Sequence, residues 1–158
     1  DRGENFAGPS AGSFVLAVQD AVIAAENAVI AAESLGIGSC YIGDIMEQKE
    51  YHKTLFNLPE YVFPVAMLTL GYYPEDYMVP LKERFAEKYV VFEERYNELS
   101  KEDIDDMFRK RDQLFTAKNK YNAKNYAQMH YNFKVKAPFS KEMQRSVEEA
   151  LKEWDKKE

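Results

Sequence analysis

Cysteine, histidine and tryptophan are scarce in this sequence, and several kinds of chemistry go with them. A single cysteine, Cys40, in 158 residues excludes an intrachain disulfide. With His52 and His130 as the only histidines, no Cys/His cluster of zinc spacing can be assembled. Cys40 lies in an apolar segment without a basic neighbour, which reads as a small buried hydrophobe rather than a nucleophile. Neither histidine stands in a metal or triad pattern, and no paired-carboxylate or nucleophile-elbow arrangement occurs. The glycines at 36, 38 and 43 do not spell G-x-G-x-x-G and follow a helical segment rather than a strand, so a dinucleotide fingerprint is not supported. No basic leader followed by an apolar run opens the chain, and no repeat or low-complexity tract interrupts it. Sparing use of cysteine fits a reducing, cytoplasmic setting.

What is present is an ordinary globular composition. At 18.3 kDa, with 46% hydrophobic and 30% charged residues, the chain has material for about one domain and a proper core. Its net charge of −6 does not favour DNA or an anionic membrane.

Phe14 to Leu35 is long enough to span a bilayer by count. It carries Gln19, Asp20, Glu26, Asn27 and Glu33, however, and charges at a bilayer centre cost at least ~2.5–3.5 kcal/mol each. The polar pairs Gln19/Asp20, Glu26/Asn27 and Glu33/Ser34 recur seven apart and line one narrow stripe. The remaining circumference is apolar, so the segment predicts a central helix packed on several sides, in part by a second subunit. Ser13 is the expected N-cap and Gly36 the expected left-handed stop.

A short strand or extended loop is expected over Gly36–Asp44, then a polar helix over Glu47–Phe56 that ends before Pro59. Tyr61–Leu70 has the pattern of a buried strand, with Pro64 at its start or at a bulge. Lys88–Glu93 predicts a second short strand. Ser100 and Ser140 cap two expected helices, the first with Ile104, Met107, Phe108 and Phe115 on one face. The second carries Met143, Val147, Ala150, Leu151 and Trp154 on its apolar face. A polar, aromatic-rich connector lies between them.

Charge is uneven along the chain. From Arg109 to Lys136 there are eight basic residues against the one acid Asp112, a local +7, with Tyr121, Tyr126, Tyr131 and Phe133 interleaved. Such a stretch could stack and neutralise RNA, hold a phosphorylated small molecule, or form a solvated basic face.

Three stretches carry a family pattern: Ala31 through Gly43, with Ser34-Leu35-Gly36 leading to Cys40-Tyr41-Ile42-Gly43; Phe63-Pro64 through Leu70-Gly71-Tyr72; and Leu81-Lys82-Glu83-Arg84. In that order and spacing they resemble the C-terminal part of the nitroreductase family of FMN-dependent NAD(P)H oxidoreductases. The resemblance covers residues 13–96. It implies an α+β fold with a mixed, mainly antiparallel sheet packed around the long central helix, the N-terminal part of the family fold being absent. The chain then divides into an irregular lead-in (1–12), a nitroreductase-like core (13–96) and a C-terminal helical excursion (97–158). The family's Arg-x-Ser-x-Arg-type segment has no counterpart here, and the chain opens at Asp1 without an initiator methionine. A preceding segment is therefore expected.

The resemblance also implies roles. Tyr41, Ile42, Gly43 and Asp44 match the segment along one flavin edge, where backbone N–H groups at 43 and 44 meet N5 and O4. Lys82 and Arg84 match the pair that reaches the FMN phosphate. Lys118, Lys120 and Lys124 lie near the family's site for the NADPH 2′-phosphate. The implied protein is a homodimer that carries hydride from NAD(P)H through flavin to nitro compounds, quinones or free flavin in a ping-pong cycle. No side chain of this stretch need act as acid or base, no membrane is involved, and nucleic acid is not an expected partner. A rival reading keeps a flavin- or anion-binding module, or an RNA-associated one built on 109–136.

Overall fold

The computed structural model describes residues 8–78, 80–116 and 118–155. In chain order the elements are α1 (Ala11–Ser34), β1 (Gly38–Ile42), a 3-10 turn (Gly43–Met46), α2 (Lys49–Leu55), β2 (Met67–Gly71), a second 3-10 turn (Glu87–Tyr89), α3 (Lys101–Gln113), α4 (Tyr126–Lys134) and α5 (Pro138–Trp154). They form two compact units, residues 1–77 with 138–158, and residues 78–137.

The first unit is built on α1. Its N-cap is Ser10, whose hydroxyl accepts the Ser13 N–H at 3.1 Å. The helix thus starts one turn earlier than expected, because Ser13 is recruited as the donor rather than the cap. At the other end Gly36 has φ +73°; its N–H donates to Glu33 O and the Ile37 N–H to Ala32 O, which closes the helix in a Schellman motif. Phe14, Val18, Ala25, Val29 and Ala32 make the covered face of α1, and β1 and α5 pack on the helix. The opposite side is bare: Leu16, Ile23 and Ile30, seven apart, are each about 60% exposed. By length and a mean hydropathy of 1.6, α1 alone among the described helices passes for a membrane span. Asp20, Glu26 and Glu33 oppose that reading.

The strands β1 and β2 pair antiparallel, from Gly38 opposite Gly71 to Ile42 opposite Met67. The expected strand over Tyr61–Leu70 is therefore realised only in its second half, and Pro64 lies in the irregular lead-in. The Tyr73 ring lies over Gly38, where a Cβ would meet it at 2.5 Å and push the ring aside. Cys40 corrects the reading of a buried hydrophobe: it lies exposed on β1, which among the described residues pairs with β2 alone. Helix α5 begins at Pro138, so Ser140 falls inside its first turn instead of capping it. Its far end brings Trp154 edge-on to Phe14, ring centroids 5.3 Å apart.

In the second unit, Lys88–Glu93 is not a strand. Tyr89 is buried and its hydroxyl donates to the Asp106 carboxylate, which draws the segment into a 3-10 turn against α3. Helix α3 starts with a reciprocal capping box between Ser100 and Asp103. The connector contains α4, capped by Asn125 accepting the Gln128 N–H at 2.8 Å.

Candidate functional site

Tyr41 and Ile42 end β1, and Gly43 and Asp44 open the 3-10 turn that follows. The turn exists because β1 runs out at Ile42 and Ile45, buried at 8% exposure, pulls the chain back onto the core. Nothing lies within 4 Å of where a Cβ on Gly43 would be. Gly43 and Asp44 are exposed, and no side chain caps the start of the turn. The first N–H groups of such a turn have no partner within it, and here the backbone that carries them belongs to exposed residues. A flat ring could lie against this backbone, and the arrangement fits the demands of a flavin edge.

Tyr41 points to α1. Its hydroxyl donates to Glu26 Oε2 at 3.3 Å. Partial removal from water and the negative Glu26 both push the Tyr41 phenol above its ordinary pKa. The neighbouring turn–helix junction is anchored to α5: Gln48 N–H to Glu142 Oε1 and Lys49 N–H to Ser146 Oγ, each 3.1 Å. Sequence reading had no signal for Ser146, a small hydroxyl that is completely buried at the edge of an apolar stripe.

Lys82 and Arg84 belong to the second unit, in an exposed irregular segment. Arg84 lines a cavity of about 280 Å³ together with Phe85, Ala86, Met107 and Arg111. Lys118, Lys120 and Lys124 sit on the loop before α4. That loop is organised by Asn119, whose Oδ1 accepts the N–H groups of Tyr121 and Ala123 at 3.1 and 3.0 Å. The Lys120 ammonium lies 4.9 Å from the Tyr121 ring centre. Much of the basic stretch is engaged internally. Arg109 pairs with Asp106 at 2.8 Å, Lys110 with Glu83 at 2.5 Å, and the Arg111 guanidinium stacks 3.8 Å from the Phe85 ring centre. The flavin-edge residues are thus adjacent in one unit, and the cationic candidates stand in the other.

The sequence model of the nitroreductase family matches residues 2–72, a span that holds α1, β1, the Gly43–Met46 turn and β2. Residues 2–72 belong to the nitroreductase family. A chromium(VI) reductase of a Pseudomonas strain is 37% identical over 70 residues, 44% of this chain and 29% of that protein. The solved structure of NfrA2 from B. megaterium is 30% identical, covers 98% of this chain and 61% of its own, and superposes with a TM-score of 0.73. The NADPH:FMN oxidoreductase of Vibrio harveyi, at 22% identity, a TM-score of 0.72 and coverages of 93% and 59%, shares the fold. The chain therefore spans under a third of that curated relative and about three fifths of these two solved structures. Lys82, Arg84 and the lysines at 118, 120 and 124 lie beyond the residues the family model matches.

Proposed function

We propose that this chain is the flavin-edge part of an FMN-dependent oxidoreductase. The observation that carries the reading is the uncapped, exposed Gly43–Asp44 backbone inside the family-matched segment, with open space over Gly43. Its amides would meet the ring edge, where charge builds up on reduction, and preorganised donors stabilise that charge without moving. Tyr41 and Ile42 would carry the edge, Lys82 and Arg84 would hold the phosphate through charge-assisted bonds, and Lys118, Lys120 and Lys124 would receive the 2′-phosphate of NADPH. Bound FMN supplies two-electron chemistry between NAD(P)H and a nitro compound, quinone or free flavin in a ping-pong cycle. The protein's own task is to orient the ring, keep the face open to two successive partners and tune the edge. The similarity to a chromium(VI) reductase and to an NADPH:FMN oxidoreductase supports the same reading.

The bare stripe of Leu16, Ile23 and Ile30 supports a homodimer, since a contiguous apolar face of this kind marks a covered surface. The division into lead-in 1–12, core 13–96 and C-terminal excursion 97–158 is kept as part of this proposal. The rival RNA module is less favoured, because Arg109, Lys110 and Arg111 are already committed to partners within the second unit.

The test is to purify the protein that carries this chain and record its visible spectrum with FMN, then add NADPH or NADH without oxygen. Bleaching of a bound flavin band, and recovery with a quinone, is expected. K82A/R84A should weaken FMN retention. A wild-type protein that holds no FMN would overturn the proposal.

A further inference from the structure

The junction between the Gly43–Met46 turn and α2 is awkward for the local chain. Gln48 takes a left-handed conformation, φ 49° and ψ 49°, without being glycine. It provides no side-chain cap for α2, so the first amides of that helix have no local acceptor. The acceptors come from nearly a hundred residues away. Glu142 takes the Gln48 N–H, and Ser146 takes the Lys49 N–H in a buried bond. Glu142, Ser146, Ala150 and Glu153 follow at helical spacing, so one face of α5 meets this junction. On that face Ser146 and Ala150 are 0% and 1% exposed, and Glu153 pairs with the Lys49 ammonium at 2.5 Å. The turn itself packs on α5, and the Glu47 N–H returns to Asp44 O at 3.0 Å. A continuous line of bonds therefore runs from α5 through residues 49, 48 and 47 to the peptide at Asp44.

We propose that Ser146, with Glu142 beside it, is a positioning residue for the flavin edge: the C-terminal helix fixes the left-handed junction at Gln48, and through it the direction in which the Gly43 and Asp44 amides face. The consequence for flavin rests on the function proposed above. Neither residue touches the site. They act by supplying acceptors that α2 cannot supply for itself, which the buried Lys49 amide requires and which hold the exposed Gln48 amide in place.

The test compares S146A, E142A and the conservative E142Q with S100A, which removes the cap of α3 in the other unit. Amide hydrogen exchange over residues 43–49 is read in the flavin-free protein; FMN affinity and the two-electron midpoint potential are read in the loaded one. In S146A and E142A, exchange at 43–49 is expected to rise about fivefold or more, the scale of a lost cap, with FMN binding weaker by a similar factor. The reduced form loses the most, so the potential falls by about 20 mV, the two-electron equivalent of fivefold. E142Q, which keeps an acceptor oxygen, should return toward wild type. S100A should lower stability without moving the potential. Unchanged exchange at 48 and 49 in both alanine variants, or a potential in S146A no different from that in S100A, overturns the proposal. If wild-type protein binds no FMN, the flavin reading falls and this role with it. That result is distinct from one in which FMN binds and S146A leaves its potential in place.

Discussion

The Lys49 ammonium, only 5% exposed, lies 2.5 Å from Glu153 Oε1 and ties α2 to α5. Lys53 approaches the other carboxylate oxygen at 3.5 Å. The two ends of this pair are not equivalent. Removing the carboxylate leaves a buried cation without its ion-pair partner and with only the charge of Glu50 acting on it, whereas removing Lys49 leaves Glu153, about a quarter exposed, with Lys53 still beside it. E153Q is therefore expected to cost about 2 kcal/mol, below the full penalty of a sealed pair, and K49M less than about 1 kcal/mol because a methionine fills the same space. Urea unfolding of the two variants checks the order. Equal costs would show that the cation is solvated after all.

Acid should loosen the same contact between α2 and α5. The Arg145 guanidinium binds the Glu50 carboxylate at 2.9 and 3.1 Å and holds its pKa down at about 2. Partial burial works to raise Glu153, but its hydrogen bond to Lys49 and the charges of Lys49 and Lys53 outweigh it, so its pKa is also lowered. Both are carboxylates with depressed folded-state values. Their stabilisation is fully present above the ordinary glutamate range near ~4.3 and is lost as pH falls toward 2. Glu50 is more than half exposed, so solvent screening limits its share to less than about 1 kcal/mol. Urea midpoints measured from pH 6 to pH 2 should fall below about pH 4.5, with a shallower fall in E50Q. A midpoint that holds level to pH 2 would contradict this.

Helix α1 is legible in the sequence because its signal is local and redundant: seven-residue polar spacing, an apolar remainder, and Gly36 at the stop. Pairing of β1 with β2 is half legible, since Gly38–Ile42 and Met67–Gly71 read as extended while Pro64 is the one local sign that Tyr61–Ala66 is not a strand. Lys88–Glu93 misleads because its aromatic, β-branched composition favours a strand, and the hydrogen bond that decides otherwise comes from Asp106. Helix α4 hides in a polar connector because its N-cap is one asparagine among several polar residues and its apolar face is narrow. The backbone at Gly43 and Asp44 stands out only through family resemblance, as amides leave no mark on residue type. Ser146 is invisible for a related reason: one hydroxyl on a long amphipathic helix looks like surface until the helix is docked.

Trp154 offers a direct view of the docking of α5 on α1. It is the sole tryptophan, and its ring meets Phe14 edge-on at 5.3 Å, with Phe14 also 5.9 Å from Phe63. Phe14 is 7% exposed, so F14A removes both ring contacts and leaves a hole. A loss of about 3 kcal/mol is expected, at the low end for a buried phenylalanine because the neighbouring groove is already open to solvent. The tryptophan emission should shift to the red in the folded variant, before any denaturant is added. An unshifted spectrum would mean that the two rings do not meet.

Two glycines separate backbone need from site need. Gly36 carries φ +73°, where an L side chain is strained, and sits in the Schellman stop of α1. G36A should therefore cost about 1 kcal/mol in stability while leaving FMN affinity nearly unchanged in the remaining folded protein. Gly43 has no positive φ and open space where a Cβ would go, so G43A should leave the unfolding free energy, read from urea titration, within about 0.5 kcal/mol of wild type. Under the flavin reading that open space belongs to the ring. The added methyl group then holds the ring edge off the amides, and FMN affinity falls about tenfold or more, the loss of one charge-assisted bond. The opposite pattern, affinity lost in G36A and retained in G43A, would place the flavin elsewhere on the molecule.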